Sequence, residues 1–186
     1  MNKGKLLIIS GPSAGVGKDT IVRMFMQKHP DWRQPPSVTT RQPRVGEIEG
    51  KDYFFVDRPE FEQITSRGEF LERFVVTDEL YGTLRAPIAK LLEDSKNVIL
   101  RKEVNGALNI KKELPEAITV FLAADSFEEL EERIRSRATA SQELIEQRLK
   151  LAKEELGYQS QFDRVIVNPA DHPEAALELV EAAAGL

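Results

Sequence analysis

Cysteine is missing from this chain of 186 residues. Its absence excludes a disulfide framework, a thiolate zinc site and a cysteine nucleophile together. Histidine is nearly missing too: His29 and His172 are the whole supply. Two are too few for a histidine metal cluster, and each reads as a surface residue. An excess of basic charge is also lacking. The formal net charge is −5, which argues against broad nucleic-acid binding through a basic face. Long apolar runs are absent, and the first one, Leu6-Leu7-Ile8-Ile9, is too short for a signal peptide or a membrane span. A soluble cytoplasmic protein is the expectation. No internal repeat, low-complexity tract or long linker breaks the chain, and its length suits one domain with a single substantial core.

What is present begins directly after that apolar run. Gly11-Pro12-Ser13-Ala14-Gly15-Val16-Gly17-Lys18-Asp19-Thr20 separates a strand-like segment from the helix-like Ile21-Val22-Arg23-Met24-Phe25-Met26. Strand, Gly-rich turn, lysine and helix make the arrangement of a phosphate-binding P-loop. Small residues let the backbone curl so that successive N–H groups face a phosphate. The helix dipole adds partial positive charge there, and Lys18 adds a full one. Residues Ser13, Ala14, Gly15, Val16, Gly17, Lys18, Asp19 and Thr20 are therefore expected to hold the phosphates of a nucleoside triphosphate. The spacing departs from the usual pattern. Five residues, Pro12 through Val16, stand between Gly11 and the Gly17-Lys18 pair, where four are usual. Asp19 follows the lysine, and the hydroxyl comes at Thr20. A Gly-rich turn without a ligand is the alternative, although Gly15-Val16-Gly17-Lys18, the part that wraps phosphate, is complete. The extra residue is expected to bulge at Ser13-Ala14, leaving Ala14 displaced from the phosphate cavity.

Strand-like and helix-like stretches alternate beyond the loop. Asn97-Val98-Ile99-Leu100, Ala117-Ile118-Thr119-Val120-Phe121-Leu122 and Arg164-Val165-Ile166-Val167-Asn168 read as strands, the first two buried on both faces of a parallel sheet. Helical patterns cover residues 105–114, 126–135, 142–156 and 173–184. The fold class is α/β, with the P-loop at the carboxyl end of the first strand. Residues 36–86 break the rhythm. Three strand-like runs, 52–56, 70–76 and 80–83, suggest a small antiparallel sheet with a helix at 59–67, an inserted α+β lobe that brings a second substrate to the triphosphate.

Within and beyond that lobe the residues become specific. Ser37-Val38-Thr39-Thr40-Arg41-Gln42-Pro43-Arg44, Gly46-Glu47, Gly50-Lys51-Asp52-Tyr53-Phe54-Phe55, Gly68-Glu69-Phe70-Leu71-Glu72 and Tyr81-Gly82-Thr83 resemble the guanylate kinase family. Arg133, Arg137, Arg148 and Val165-Ile166-Val167-Asn168 extend the resemblance over nearly the whole chain. It implies transfer of the γ-phosphoryl group of ATP to GMP with magnesium. It also implies a three-layer α/β/α P-loop core (1–35, 87–126 and 159–186), a GMP-binding lobe (36–86) and a helical lid (127–158).

The family's roles fall on matching positions. Arg41, Arg44, Tyr53 and Tyr81 would hold the GMP phosphate, where guanidinium forks and phenol hydroxyls suit phosphate oxygens. Glu72 would accept from the N–H donors of the guanine edge, and Ser37 and Thr83 would donate to its carbonyl. Arg133, Arg137 and Arg148 would close over the triphosphate, with Asn168 near the adenine. Helix pairing with Glu128, Glu129, Glu131 and Glu132 is the other reading of the lid arginines. Thr20 or Asp19 would lie near magnesium, through water. The chain departs from the family after the strand at 98–100. Glu103 stands where an Asp would help bind guanine, and Arg101 replaces a position that is acidic in many relatives. A ribose bisphosphokinase, or a silent guanylate-kinase-like binding module, remains open from the sequence.

Overall fold

The apolar runs at 6–10, 98–100 and 118–123 become strands because they are largely buried on both faces, while the run at 164–167 is an edge strand with Val165 and Val167 exposed. The computed structural model describes residues 3–76, 78–136 and 141–186. Strands β1 (Leu6–Ser10), β6 (Val98–Arg101), β7 (Ile118–Ala123) and β8 (Arg164–Val167) form a parallel sheet in the order β6-β1-β7-β8. Successive side chains point to opposite faces. Leu7, Ile9, Ile99, Val120 and Leu122 meet helices α1 (Lys18–Lys28), α5 (Phe127–Ser136), α6 (Gln142–Leu156) and α7 (Pro173–Ala184) through Phe25, Leu130, Leu149 and Val180. Leu6, Ile8, Leu100 and Phe121 meet α3 (Arg85–Glu93) and α4 (Val104–Glu113) through Ile88, Leu92, Ala107 and Ile110. This is the three-layer core expected. Each buried Leu or Ile contributes about 1.5–3 kcal/mol by leaving water. No described helix is long and apolar enough to cross a membrane.

The second sheet corrects one expectation. Strands β2 (Ser37–Thr39), β3 (Tyr53–Phe55), β4 (Phe70–Val76) and β5 (Glu79–Leu84) lie in the order β3-β2-β5-β4. β4 and β2 both run antiparallel to β5, but β2 and β3 are parallel, so the sheet is mixed. The segment 40–52 crosses over between β2 and β3 and returns the chain in the same direction, which a tight hairpin cannot do. Helix α2 (Arg58–Ser66) follows β3. Its Asp57 N-cap accepts from the Glu60 amide at 2.8 Å, and Pro59 fits the first turn. Phe61 and Ile64 of α2 pack on Val38 in a small core separate from the main one.

Two strand ends prepare the site. β1 runs into the Gly-rich turn, and α1 starts at Gly17, whose φ is 77°. A side chain is excluded there twice over: the left-handed backbone favours glycine, and a Cβ would stand 2.6 Å from Asn168 Nδ2. β6 runs into Lys102 and Glu103 at the same edge of the sheet, where ligands of parallel sheets bind. At the outer side of β6, Arg33 makes an isolated parallel bridge to Val98.

Candidate active site

The turn after β1 encloses a cavity of about 180 Å³. Residues 12–20 line it, together with Arg101, Glu103, Ile134 and Arg148. Lys18 is buried and folds back on its own loop, its Nζ donating to the Gly11 carbonyl at 3.1 Å and the Pro12 carbonyl at 2.6 Å. Burial pushes this ammonium below the usual lysine range, against the opposing carboxylates of Glu103 and Glu155. Ala14 lines the cavity with its neighbours and packs on the core cluster that holds Leu130 and Ile134. It is not displaced. Ser13 beside it is held by α6. The Ser13 amide donates to Glu155 Oε2 at 2.7 Å and its hydroxyl to Glu155 Oε1 at 2.5 Å. The same hydroxyl lies 2.8 Å from Glu103 Oε2, and its one proton serves one carboxylate at a time. Burial pushes the Glu155 carboxyl up, the Ser13 hydrogen bonds pull it down, and the result is a raised value. Sequence reasoning missed Glu155. The available signal was a carboxylate on the buried side of α6, beside Ala152.

A larger cavity of about 760 Å³ lies between the two sheets. Ser37, Arg41, Arg44, Tyr53, Phe74 and Tyr81 line it from the small sheet's side, and Asp19, Arg101, Lys102 and Glu103 from the core. Asp19, Arg101 and Glu103 also line the loop cavity, so these three form a wall common to both. Arg101 closes that wall by donating to the Asp19 carboxylate. Arg41 is prearranged. Glu47 accepts from its two terminal nitrogens at 2.8 Å each, and Tyr81 accepts from its Nε at 3.3 Å. The guanidinium lies 5.1 Å from the Tyr53 ring centre. Arg41 and the Arg44 amide pull the Glu47 carboxyl down to about 2. Tyr81 is stacked on Phe74 with ring centres 5.3 Å apart.

Glu72 and Thr83 are buried and absent from the lining of this cavity. Between them and the cavity stands Lys102, which the sequence did not single out. Its Nζ meets Glu72 Oε1 at 3.1 Å, Ser37 Oγ at 3.1 Å and the Thr83 hydroxyl. The Thr83 hydroxyl donates to Glu72 Oε1 at 2.5 Å. Burial pushes the Lys102 ammonium down, and Glu72 opposes the shift. Glu103, expected on the guanine, lines both cavities at the common wall, 4.0 Å from Lys18 Nζ.

The remaining positions divide. Arg148 lines the loop cavity, and Arg137 lies outside the described residues. Arg133 does not line that cavity. It donates to the Asn168 carbonyl at 2.9 Å and pairs with Glu129 one helical turn back. Asn168 is buried and donates from Nδ2 to the Val16 carbonyl at 2.8 Å, so it braces the loop from below. Thr20 lines the loop cavity beside Asp19.

The sequence profile named "Guanylate kinase" matches residues 3–183. A guanylate kinase of Nostoc sp. is 46% identical over 180 residues, covering 97% of this chain and 89% of its own length. One of Corynebacterium jeikeium is 45% identical over 170 residues, covering 90% of each chain. The crystal structure of guanylate kinase from Anaplasma phagocytophilum aligns with a TM-score of 0.75 at 30% identity, over 99% of this chain and 86% of that one.

Proposed function

The chain belongs to the guanylate kinase family and is an ATP-dependent kinase of GMP; we propose that the loop cavity takes the donor triphosphate and the cavity between the sheets takes GMP. The common wall of Asp19, Arg101 and Glu103 carries this reading. Phosphoryl transfer needs two substrates end to end, and these two cavities meet along one short boundary. On this reading residues 36–86 form the GMP lobe, 127–158 the lid, and the rest the core.

The residues then divide the work. Amides of residues 15–20 would cradle the triphosphate, and Lys18 would exchange the Gly11 and Pro12 carbonyls for phosphate oxygens. Arg148 faces the same cavity and would neutralise charge on the transferring group. Arg133 and Arg137 would join it when the lid closes, which requires Arg133 to leave Asn168. In the other cavity Arg41 would exchange Glu47 for the GMP phosphate, with Arg44, Tyr53 and Tyr81 alongside. Acceptor phosphate oxygens are already ionised, so no general base is needed. Products are ADP and GDP.

Magnesium fits the donor set. The Thr20 hydroxyl and Asp19 carboxylate are hard oxygen donors beside the phosphate cavity. No group of three acidic, histidine or cysteine side chains among the described residues forms a protein cage for a metal. That suits an ion held mainly by phosphates and water, which would neutralise the β- and γ-phosphate charge.

A coupled assay of ADP release tests the assignment, offering ATP with GMP, AMP or ribose 1,5-bisphosphate in turn. Rapid release with GMP alone is the expected result. Release with ribose bisphosphate alone, or with no acceptor, would overturn it.

A further inference from the structure

The wall shared by the two cavities carries three charged side chains, and two of them have the wrong sign for phosphate. Asp19 and Glu103 present carboxylates there, and among the described residues Arg101 is the single cation that lines both cavities. Its place is set by the core. Arg101 ends β6 in parallel register with Ile9, one strand over from the Gly-rich turn. Neither the lid nor the small sheet has to move to bring it there. The side chain itself is loosely engaged. Its Nη1 donates to the Asp19 carboxylate, and among the described residues no partner takes Nε or Nη2. Both side chains of that pair are open to water, Arg101 at 37% and Asp19 at 80%, and exposed ion pairs contribute little. The guanidinium can therefore exchange Asp19 for a phosphate oxygen, which suits its fork better, at small cost.

Resting on the assignment of donor and acceptor to these cavities, we propose that Arg101 is a further catalytic residue whose guanidinium bridges the donor's γ-phosphoryl group and the acceptor's phosphate. In the transfer the bond between the γ-phosphorus and the β,γ-bridging oxygen breaks, and its electron pair stays on ADP. An ionised oxygen of the GMP phosphate forms the new bond, and no proton moves. The reaction brings negative charge together from both sides. A fork with donors on separate nitrogens can contact one oxygen of each substrate at once and offset that repulsion. Lys18 and Arg148 line only the loop cavity, and Arg41 and Arg44 only the cavity between the sheets. Arg101 acts where the two meet.

The test compares wild type with Arg101→Gln and Arg101→Lys. Single-turnover formation of GDP is followed with ATP and GMP both saturating. Calorimetry gives the affinities for ADP, for GMP and for an adenosine–guanosine pentaphosphate, one molecule that spans both cavities. In R101Q the transfer rate should fall by about 10²-fold or more, the scale of one lost transition-state donor. The pentaphosphate should lose about tenfold or more in affinity, while ADP and GMP each lose less than about threefold. R101K keeps the charge without the fork and should recover part of both losses. Melting temperatures should match, since the ion pair that is lost is exposed. A role confined to holding Asp19 would not single out the molecule that spans the wall. A transfer rate in R101Q within about threefold of wild type, or equal losses for ADP and the pentaphosphate, would overturn the proposal. Wild type that binds the pentaphosphate no more tightly than ADP would instead overturn the placement of the two substrates.

Discussion

Lys18 is bonded to carbonyls of its own loop, so its replacement acts in two ways. With the donor triphosphate assigned to the loop cavity, Lys18→Ala would remove a charge facing the transferring phosphoryl group, and kcat should fall by about 10²–10³-fold. It also strands the Gly11 and Pro12 carbonyls, costing about 1–3 kcal/mol, so the melting temperature should fall as well. Near-normal kcat in this variant would remove the P-loop assignment. Arg41 presents a different balance. Its guanidinium fork spans both Glu47 oxygens, and the same fork suits a phosphate. A lysine at this position offers one point charge. Arg41→Lys should raise the KM for GMP by about tenfold or more, the loss of one charged hydrogen bond, with the KM for ATP nearly unchanged. A titration showing unaltered GMP binding would displace the phosphate site.

Helix α6 is fastened to the Gly-rich loop at Glu155, and that contact connects the helix's last turn to the loop cavity. Glu155→Ala should loosen Ser13 and weaken ADP binding in calorimetry by about fivefold, the worth of about one hydrogen bond. Unchanged affinity would mean that the loop holds its shape unaided. Deleting Ala14 is less harmless than the sequence suggests, because Ala14 packs on the core cluster while Ser13 is tied to α6. At this scale the core strands, α1 and the helices after residue 100 were legible, since continuous apolar runs and helical spacing survive without tertiary context. Helix α3 was not. Pro87 in its first turn reads as a break, although the early positions of a helix accept proline. Strand β2 is three residues long and owes its existence to its two neighbours. Lys102 was hidden for a related reason. Its burial depends on β4 and β5 arriving from the other sheet, which no local pattern records. That Arg41, Tyr53 and Tyr81 line one cavity was readable because those residues are close to one another in the sequence or carried by a motif.

Over the whole molecule, charge pairing sets the response to acid. Arg41 holds Glu47 at about 2, and Arg133 holds Glu129 below its usual range. Burial opposes the same effect at Asp163 and Glu181, yet Lys111 with Thr119, and Lys28 with His29, keep both carboxyls low. The folded protein binds fewer protons at these groups than the unfolded chain does. Their stabilisation is therefore complete above the ordinary carboxylate value, about 4, and is lost as the pH falls toward about 2. Glu155 runs the other way: its raised pKa favours the fold in acid and gives that up as the pH rises through it. The lowered groups outnumber it, so thermal melts from about pH 7 to about pH 3 should show a falling midpoint. Glu47→Gln should flatten part of that fall, and a constant midpoint would contradict the sign. The Lys102–Glu72 pair joins the two sheets and bears on how such a chain descends with change. Losing either charge alone strands the other in the interior, at about 3–5 kcal/mol, a large part of the roughly 5–15 kcal/mol that holds a domain together. Single steps away from the pair are therefore closed in both directions. Descendants of this chain should keep the two residues or lose them together, even though Glu72 stands in a strand of one sheet and Lys102 just past the end of a strand of the other.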